Sequence, residues 1–289
     1  MPNELNPDCF ARHSGPWAIY PQVLIDAVAA IRSGRAPVES AAQARSASPR
    51  DGVIALVPII GTMLKGQSKF EGTVNTLDVR REIRAAAAAQ DVAGIILLVD
   101  SPGGHVDGTS ELADDIKAAA KAKPVFGFGE DLVASAALWV ISQTDRVIVN
   151  AMGKIGSIGA FMSVVDSSEK MERDGLKVRV IKSEGIKGAG IPGVPITEEV
   201  IDDIQKHVDF AADTFVRTVA SGRGIPLGAV RKLATGELFT ATEAVANGLV
   251  DQIGTFEEAV RQLRAEIRGR GQASRARAQA RVKVAELSS

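Results

Sequence analysis

Two uninterrupted apolar runs, residues 53–60 (VIALVPII) and 94–99 (GIILLV), constrain this chain more than anything else in it. Runs of this length, rich in β-branched residues, are the pattern of strands covered on both faces, as strands are in a parallel sheet. After each run the period changes. Residues 76–89 (TLDVRREIRAAAAA) carry Leu77, Val79 and Ile83 at helical spacing, and residues 110–122 read as a second helix. Further strands are expected at 124–128, 146–149 and 178–181, with helices at 135–142 and 163–174. This alternation predicts an α/β fold, a mostly parallel sheet joined by helical crossovers. The segment lengths do not suit an eightfold barrel.

Beyond residue 193 the pattern is helical. Residues 197–220 place Val200, Ile204, Val208, Ala211, Phe215 and Val219 along one stripe, and Gly222 and Gly224 end the helix. Thr240 with Glu243, and Thr255 with Glu258, form capping boxes that open two shorter helices, and Gly248 stops the first of them. Upstream, residues 17–31 (WAIYPQVLIDAVAAI) suit a short amphipathic helix, and 33–50 is an Ala-, Ser-, Arg- and Pro-rich stretch without apolar periodicity. Three parts follow: an N-terminal helix and flexible linker (1–50), one catalytic domain (51–260), and a flexible basic tail (261–289). The tail holds eight Lys or Arg against two Glu, a local charge of +6 within a chain of net charge −1. It reads as a solvated extension or an interaction arm.

The near-neutral balance gives no general reason to expect a polyanionic partner. An aromatic content of 4% argues against a base-stacking surface, so a nucleic-acid ligand is not expected. A single cysteine, Cys9, excludes an intrachain disulfide. The N-terminal residues lack the basic start and apolar stretch of a signal peptide, and no segment reaches the ~18 apolar residues of a membrane span. A cytoplasmic protein without a membrane span is the expectation.

Chemistry concentrates in two segments. Asp100-Ser-Pro-Gly-Gly104 follows a buried strand, where α/β sheets place their ligands. Two glycines there let backbone N–H groups point into a concavity that holds an oxyanion. Ser135 stands between Ala134 and Ala136 at the start of an apolar helix, whose N-terminus supplies free N–H groups and partial positive charge. Taken singly, a glycine turn and a helix N-cap also account for these segments. A serine nucleophile needs a base. Of the three histidines, His13 is peripheral, His105 adjoins the glycine loop, and His207 sits beside Lys206 and Asp209 on the long helix. None completes a Ser-His-Asp set, which leaves lysine. Lys187, flanked by Ile186 and small residues, suits desolvation better than Lys182, which has Glu184 nearby. Lys182 and Lys154 remain rival bases.

Taken together, Asp100-Ser-Pro-Gly-Gly104, Ala134-Ser-Ala136, Gly153-Lys-Ile-Gly-Ser-Ile-Gly159, Ile181-Lys-Ser-Glu-Gly-Ile-Lys187 and Ser221-Gly-Arg-Gly-Ile225 resemble the serine peptidases of the signal peptide peptidase A type, peptidase family S49. The resemblance runs over about residues 52–260. It implies a Clp-protease/crotonase-like fold of repeated β-β-α units with a helical C-terminal part. It also implies a Ser-Lys dyad of Ser135 and Lys187, with Ser157 hydrogen-bonding the lysine and with Gly103 and Ala136 supplying the oxyanion hole. No cofactor or metal is implied. The chain departs from the cellular enzymes in having Ala136-Ala137 where glycines are common, and in lacking a membrane anchor. A form without an anchor and with Pro16-Trp-Ala-Ile19 near its start resembles the phage and prophage branch that matures capsids. Polypeptide substrates, a homo-oligomer, a capsid or scaffold partner, and a role in capsid maturation or in peptide clearance are the corresponding expectations, with a place in the cytoplasm or in virion assembly. The alternatives are a crotonase-like acyl-CoA enzyme using Glu130 or Asp131 as acid/base, and a catalytically silent assembly protein of the same fold.

Overall fold

A computed structural model of the chain describes residues 16–20, 52–66 and 72–287, with side chains as far as residue 273. The main sheet carries β2 (Val53–Ile60), β5 (Val92–Ser101), β7 (Val125–Ala134), β8 (Arg146–Val149), β9 (Lys154–Gly156), β10 (Leu238–Thr240) and β11 (Gln252–Ile253). Its path is β10-β9-β7-β5-β2, with β8 also on β7 and β11 on β8. Every pairing is parallel except β10 with β9. A second, four-stranded sheet has the order β1-β6-β3-β4, from β1 (Trp17–Ile19), β3 (Thr62–Leu64), β4 (Thr73–Asn75) and β6 (Gly103–His105). The α/β class with a mostly parallel sheet is therefore as expected.

Both faces of the main sheet are covered. On β5, Ile95, Leu97 and Val99 join a core with α1 (Thr76–Ala88), α2 (Thr109–Ala122) and α3 (Ala136–Ile141), through Val79, Ile83, Leu112, Ile116 and Leu138. The alternate residue Ile96 packs with Phe126, Phe128 and Ile148 under Ala259 and Leu263 of α8 (Phe256–Leu287). This two-sided cover is why 94–99 is apolar without alternation. The run 53–60 is less enclosed: only Val57 and Ile59 are buried, because β2 is the last strand of the sheet.

The helix α5 (Glu198–Arg223) follows α4 (Ser168–Arg173) and precedes α6 (Leu227–Leu233) and α7 (Ala241–Ala246). Of the stripe on α5, Val200, Ala211, Phe215 and Val219 are buried. Phe215 stacks on Trp139 of α3 with ring centroids 4.8 Å apart. Both capping boxes form: Thr240 and Glu243 exchange side-chain and backbone bonds, as do Thr255 and Glu258.

Several local expectations change. Residues 178–181 form no strand; they have no partner strand, and Ile181 is fully exposed. The helix over 163–174 contracts to α4, whose residues are all outside the core. Residues 17–19 are a strand rather than the start of a helix, because β6 and Phe161 offer their backbone edges to it. The remainder of 17–31 and the stretch 33–50 lie outside the described residues, apart from Tyr20. At the other end, α8 runs across residue 260 through the basic segment to Leu287, and Leu263 within it is buried on the sheet. Among the described residues no helix is long and apolar enough to cross a membrane.

Candidate active site

The end of β7 delivers Ser135 to the first position before α3. Its backbone has φ 55° and ψ −119°, and Ser157 is the other non-glycine among the described residues with positive φ. Such a conformation costs about 1–3 kcal/mol and persists only where its surroundings impose it. Here the Ser135 amide donates to Gly156 O at 2.8 Å, its carbonyl accepts from Trp139 N at 3.0 Å, and all six residues of α3 are buried. The turn aims the side chain away from the N-cap role: Ser135 makes no capping bond to α3. Its Oγ is buried and has no hydrogen-bond partner.

The Gly103–His105 strand lies against this turn. Gly103 has φ +93°, and a Cβ there would stand 2.8 Å from Ala136 N and collide with Ala18 O. Glycine is thus required by both conformation and space. The Ala136 N–H is the first of α3 and has no intrahelical partner. The Gly103 N–H donates to Ser101 Oγ at 3.1 Å, and Ser101 Oγ in turn donates to Gly61 O at 2.7 Å. Ser157, largely buried, follows Gly156 and donates its amide to Glu237 O at 2.6 Å. The structure therefore gathers Ser135, Gly103, Ala136 and Ser157 at one end of the main sheet.

The lysines stand apart. Lys187 is exposed, in the loop between α4 and α5, and does not bond Ser135 Oγ. Within that loop Ala189 N donates to Ile186 O at 2.8 Å, and the loop ties back to the start of α4 through Gly193 N and Ser167 Oγ at 3.0 Å. At its base the Asp166 carboxylate accepts from Ser168 N, Ser168 Oγ and Ile196 N, which holds its pKa below the ordinary value. Lys182 donates to Gly185 O, and Lys154 is exposed on β9 opposite Leu132 and Thr240. The histidines do not serve Ser135 either. His105 is buried edge-on to Trp17, ring centroids 5.0 Å apart, and accepts from Asp107 N at Nδ1. His207 is exposed beside Asp203, and His13 lies outside the described residues.

Three carboxylates line the strand ends beside the glycine loop. Burial, and then the charge of Asp131, push the Asp100 carboxyl up, against a bond accepted from Leu132 N at 3.1 Å. Burial also raises Glu130, with Asp100 and Asp131 adding to it. Asp131 accepts from Asn150 Nδ2 at 3.0 Å. Sequence reasoning missed Ser101, Gly156, Phe161 and the strand role of 17–19. Ser101 and Gly156 carried a signal, their places in the Asp100–Gly104 and Gly153–Gly159 motifs.

Residues 117–268 match the model of peptidase family S49. That match spans more than half of the chain, and the chain belongs to this family. A Methanocaldococcus jannaschii protein is 34% identical over 172 residues, 60% of this chain and 55% of that one. The capsid assembly protease C of Escherichia phage lambda is 27% identical over 225 residues, 77% of this chain and 51% of its own. The chain thus spans about half the length of these curated relatives. Among solved structures, a ClpP1 mutant from Listeria monocytogenes aligns over 71% of this chain and 93% of its own, at 15% identity and a TM-score of 0.44.

Proposed function

We propose that the chain is a serine endopeptidase working through a Ser-Lys dyad and an acyl-enzyme. The observation that carries this reading is Ser135 itself: a buried hydroxyl without a partner, on a strained turn, against the first N–H of α3. Neutral Lys187 takes the Ser135 proton as the hydroxyl attacks a peptide carbonyl. The Ala136 and Gly103 N–H groups hold the resulting oxyanion, the latter after leaving Ser101 Oγ. Protonated Lys187 then gives its proton to the leaving amine, and water hydrolyses the ester. Ser157, one residue beyond the Gly156 brace, holds the lysine amine in this reading.

Lys187 reaches the serine from a neighbouring copy of the chain. In support, Lys187 is exposed while Ser135 is buried, and the lysine's loop makes its bonds chiefly within itself. The same arm and the adjoining half of α5 expose Val165, Ile181 and Phe210, the last at 74%. Apolar side chains at such exposure suit cover by another subunit. The lambda protease C is named for capsid assembly. A capsid or scaffold polypeptide is the corresponding substrate class here, in virion assembly.

Fluorophosphonate labelling read by mass spectrometry tests this. Ser135 labels in the wild type, and Ser135→Ala abolishes both labelling and cleavage of an unstructured protein. Lys187→Ala loses both as well. Mixing the two inactive variants restores part of the activity, since one supplies the serine and the other the lysine. Undiminished cleavage in Ser135→Ala sinks the reading, and no restoration on mixing returns Lys187 to its own chain.

A further inference from the structure

The strand β1 is bonded along both edges. On one side Pro16 O accepts from Val106 N at 3.1 Å, Ala18 stands opposite Gly104, and Tyr20 N donates to Pro102 O at 2.7 Å. On the other, Trp17 and Phe161 exchange both backbone bonds, at 2.9 and 3.0 Å. In an antiparallel ladder the backbone groups of alternate residues face alternate neighbours, so 16, 18 and 20 meet the glycine strand and 17 meets Phe161. Both walls belong to the site. One is Gly103–His105, and the other lies four residues beyond Ser157.

The side chains alternate too. Trp17 and Ile19 cluster with Leu64 and Phe161, whereas Ala18 points into the main core and is fully buried. The Ala18 carbonyl crowds the same face of Gly103 that Ala136 N does. Just past the strand, Tyr20 lines an open pocket of about 450 Å³ with Gly236, Glu237, Leu238, Phe239 and Glu243. A short strand seated between two walls by main-chain bonds, with alternate side chains in separate pockets, is the geometry of a bound extended peptide. Meanwhile Ser135 is 1% exposed, and one oxyanion donor is engaged by Ser101.

We infer that residues 16–20 hold the place of an extended peptide substrate. The groove between Gly103–His105 and Phe161 takes a polypeptide with a small residue flanked by larger apolar ones, and β1 leaves before a substrate enters. The inference rests on the peptidase reading of Ser135.

Ala18→Pro tests it, because proline has no N–H to give to the ladder and does not sit between two strands. Emptying a groove that is closed most of the time raises its apparent affinity by the reciprocal of the open fraction. Ala18→Pro then labels with fluorophosphonate, and cleaves casein by kcat/KM, roughly tenfold or more faster than wild type. The free peptide Pro-Trp-Ala-Ile-Tyr inhibits the variant competitively. Equal or slower labelling of the variant, with a wild type that does label, overturns the inference and leaves the peptidase reading standing. Labelling of neither chain removes the peptidase reading and this inference with it. Should Ala18→Pro not fold, hydrogen exchange on the wild type decides. A peptidyl phosphonate on Ser135 should strip protection from the Trp17 and Tyr20 amides while Phe161 and Val106 stay protected. Unchanged protection at Trp17 and Tyr20 refutes it.

Discussion

The amide of Ser135 donates to Gly156 O at 2.8 Å, so the strained turn of this serine leans on a second strained turn, that of Ser157. The second leans on the entry to β10, through Ser157 N and Glu237 O at 2.6 Å. Gly156 has φ +139°, and a Cβ there would stand 2.5 Å from Glu237 O. Gly156→Ala should therefore push β10 away and let the Ser135 turn relax. The expected outcome is at least a roughly tenfold slower fluorophosphonate labelling of Ser135, since catalytic geometry tolerates little displacement, with a lowered Tm.

Strain at Ser135 is measurable without activity. Neither Ser135→Ala nor Ser135→Gly keeps the hydroxyl, but only glycine adopts φ 55°, ψ −119° without a Cβ penalty. Urea unfolding should find the glycine variant more stable than the alanine variant by about 1 kcal/mol. Equal stabilities would show an unstrained turn.

Asp100 makes the site pH-sensitive. Its carboxyl is raised by burial and by Asp131, so the folded chain holds that proton more tightly than the unfolded chain does. Its contribution to stability is full below the ordinary carboxylate range and is lost as pH rises through the raised value. Asp100→Asn keeps an acceptor for Leu132 N and removes the charge. The half-buried site is partly screened by water, so the gain at pH 7 should be on the order of 1–2 °C in Tm. Calorimetry should show that gain disappearing near pH 3, about a unit below the free side chain's pKa.

Phe215 couples α5 to the Ser135 turn through Trp139. It is fully buried, stacked on Trp139 with planes 9° apart. Phe215→Ala should cost about 3–5 kcal/mol in urea unfolding. It should also slow Ser135 labelling, because Trp139 N holds the Ser135 carbonyl.

Asp166 closes the base of the loop that carries Lys187. Its hydrogen bonds to Ser168 and Ile196 depress its pKa, so this closure is complete above the ordinary carboxylate range and fades as pH falls through the lowered value. Asp166→Ala should speed tryptic cleavage at Lys177, Arg179, Lys182 and Lys187 at neutral pH, and limited proteolysis reads this directly. An unchanged cleavage rate would mean the loop is held elsewhere.

The long apolar run at 94–99 announced its own burial, and the alternation around it carried the α/β class. Ser135 was legible because small neighbours precede an apolar helix. The second sheet was not. Its strands are three residues long, and Gly103 and Gly104 have no side chains with which to display a period. Residues 178–181 misled for the opposite reason: β-branched Val178, Val180 and Ile181 suit a strand, but the stretch lies at the surface with no strand beside it. Residues 17–19 have a helical apolar pattern, but two waiting backbone edges outweigh it. Lys187 was identified by its neighbours in sequence, which say nothing of the distance from its loop to the serine.

The strand β7 changes partners along its length, pairing with β8 over Phe126–Gly129 and with β9 over Leu132–Ala134. Glu130 and Asp131 fall between the two pairings. The sheet therefore forks just ahead of Ser135. The β8 branch, continued by β11, packs through Ile148 under α8, whereas the β9 branch, continued by β10, buries Ile155 in the larger core and borders the open pocket. Insertions and replacements along the second branch leave the hydrogen bonds of the first intact. A lineage under pressure to accept new polypeptides has here a limb whose pocket-lining Leu238 and Phe239 can vary while Gly156 O and Glu237 O keep their bonds to the serine turns.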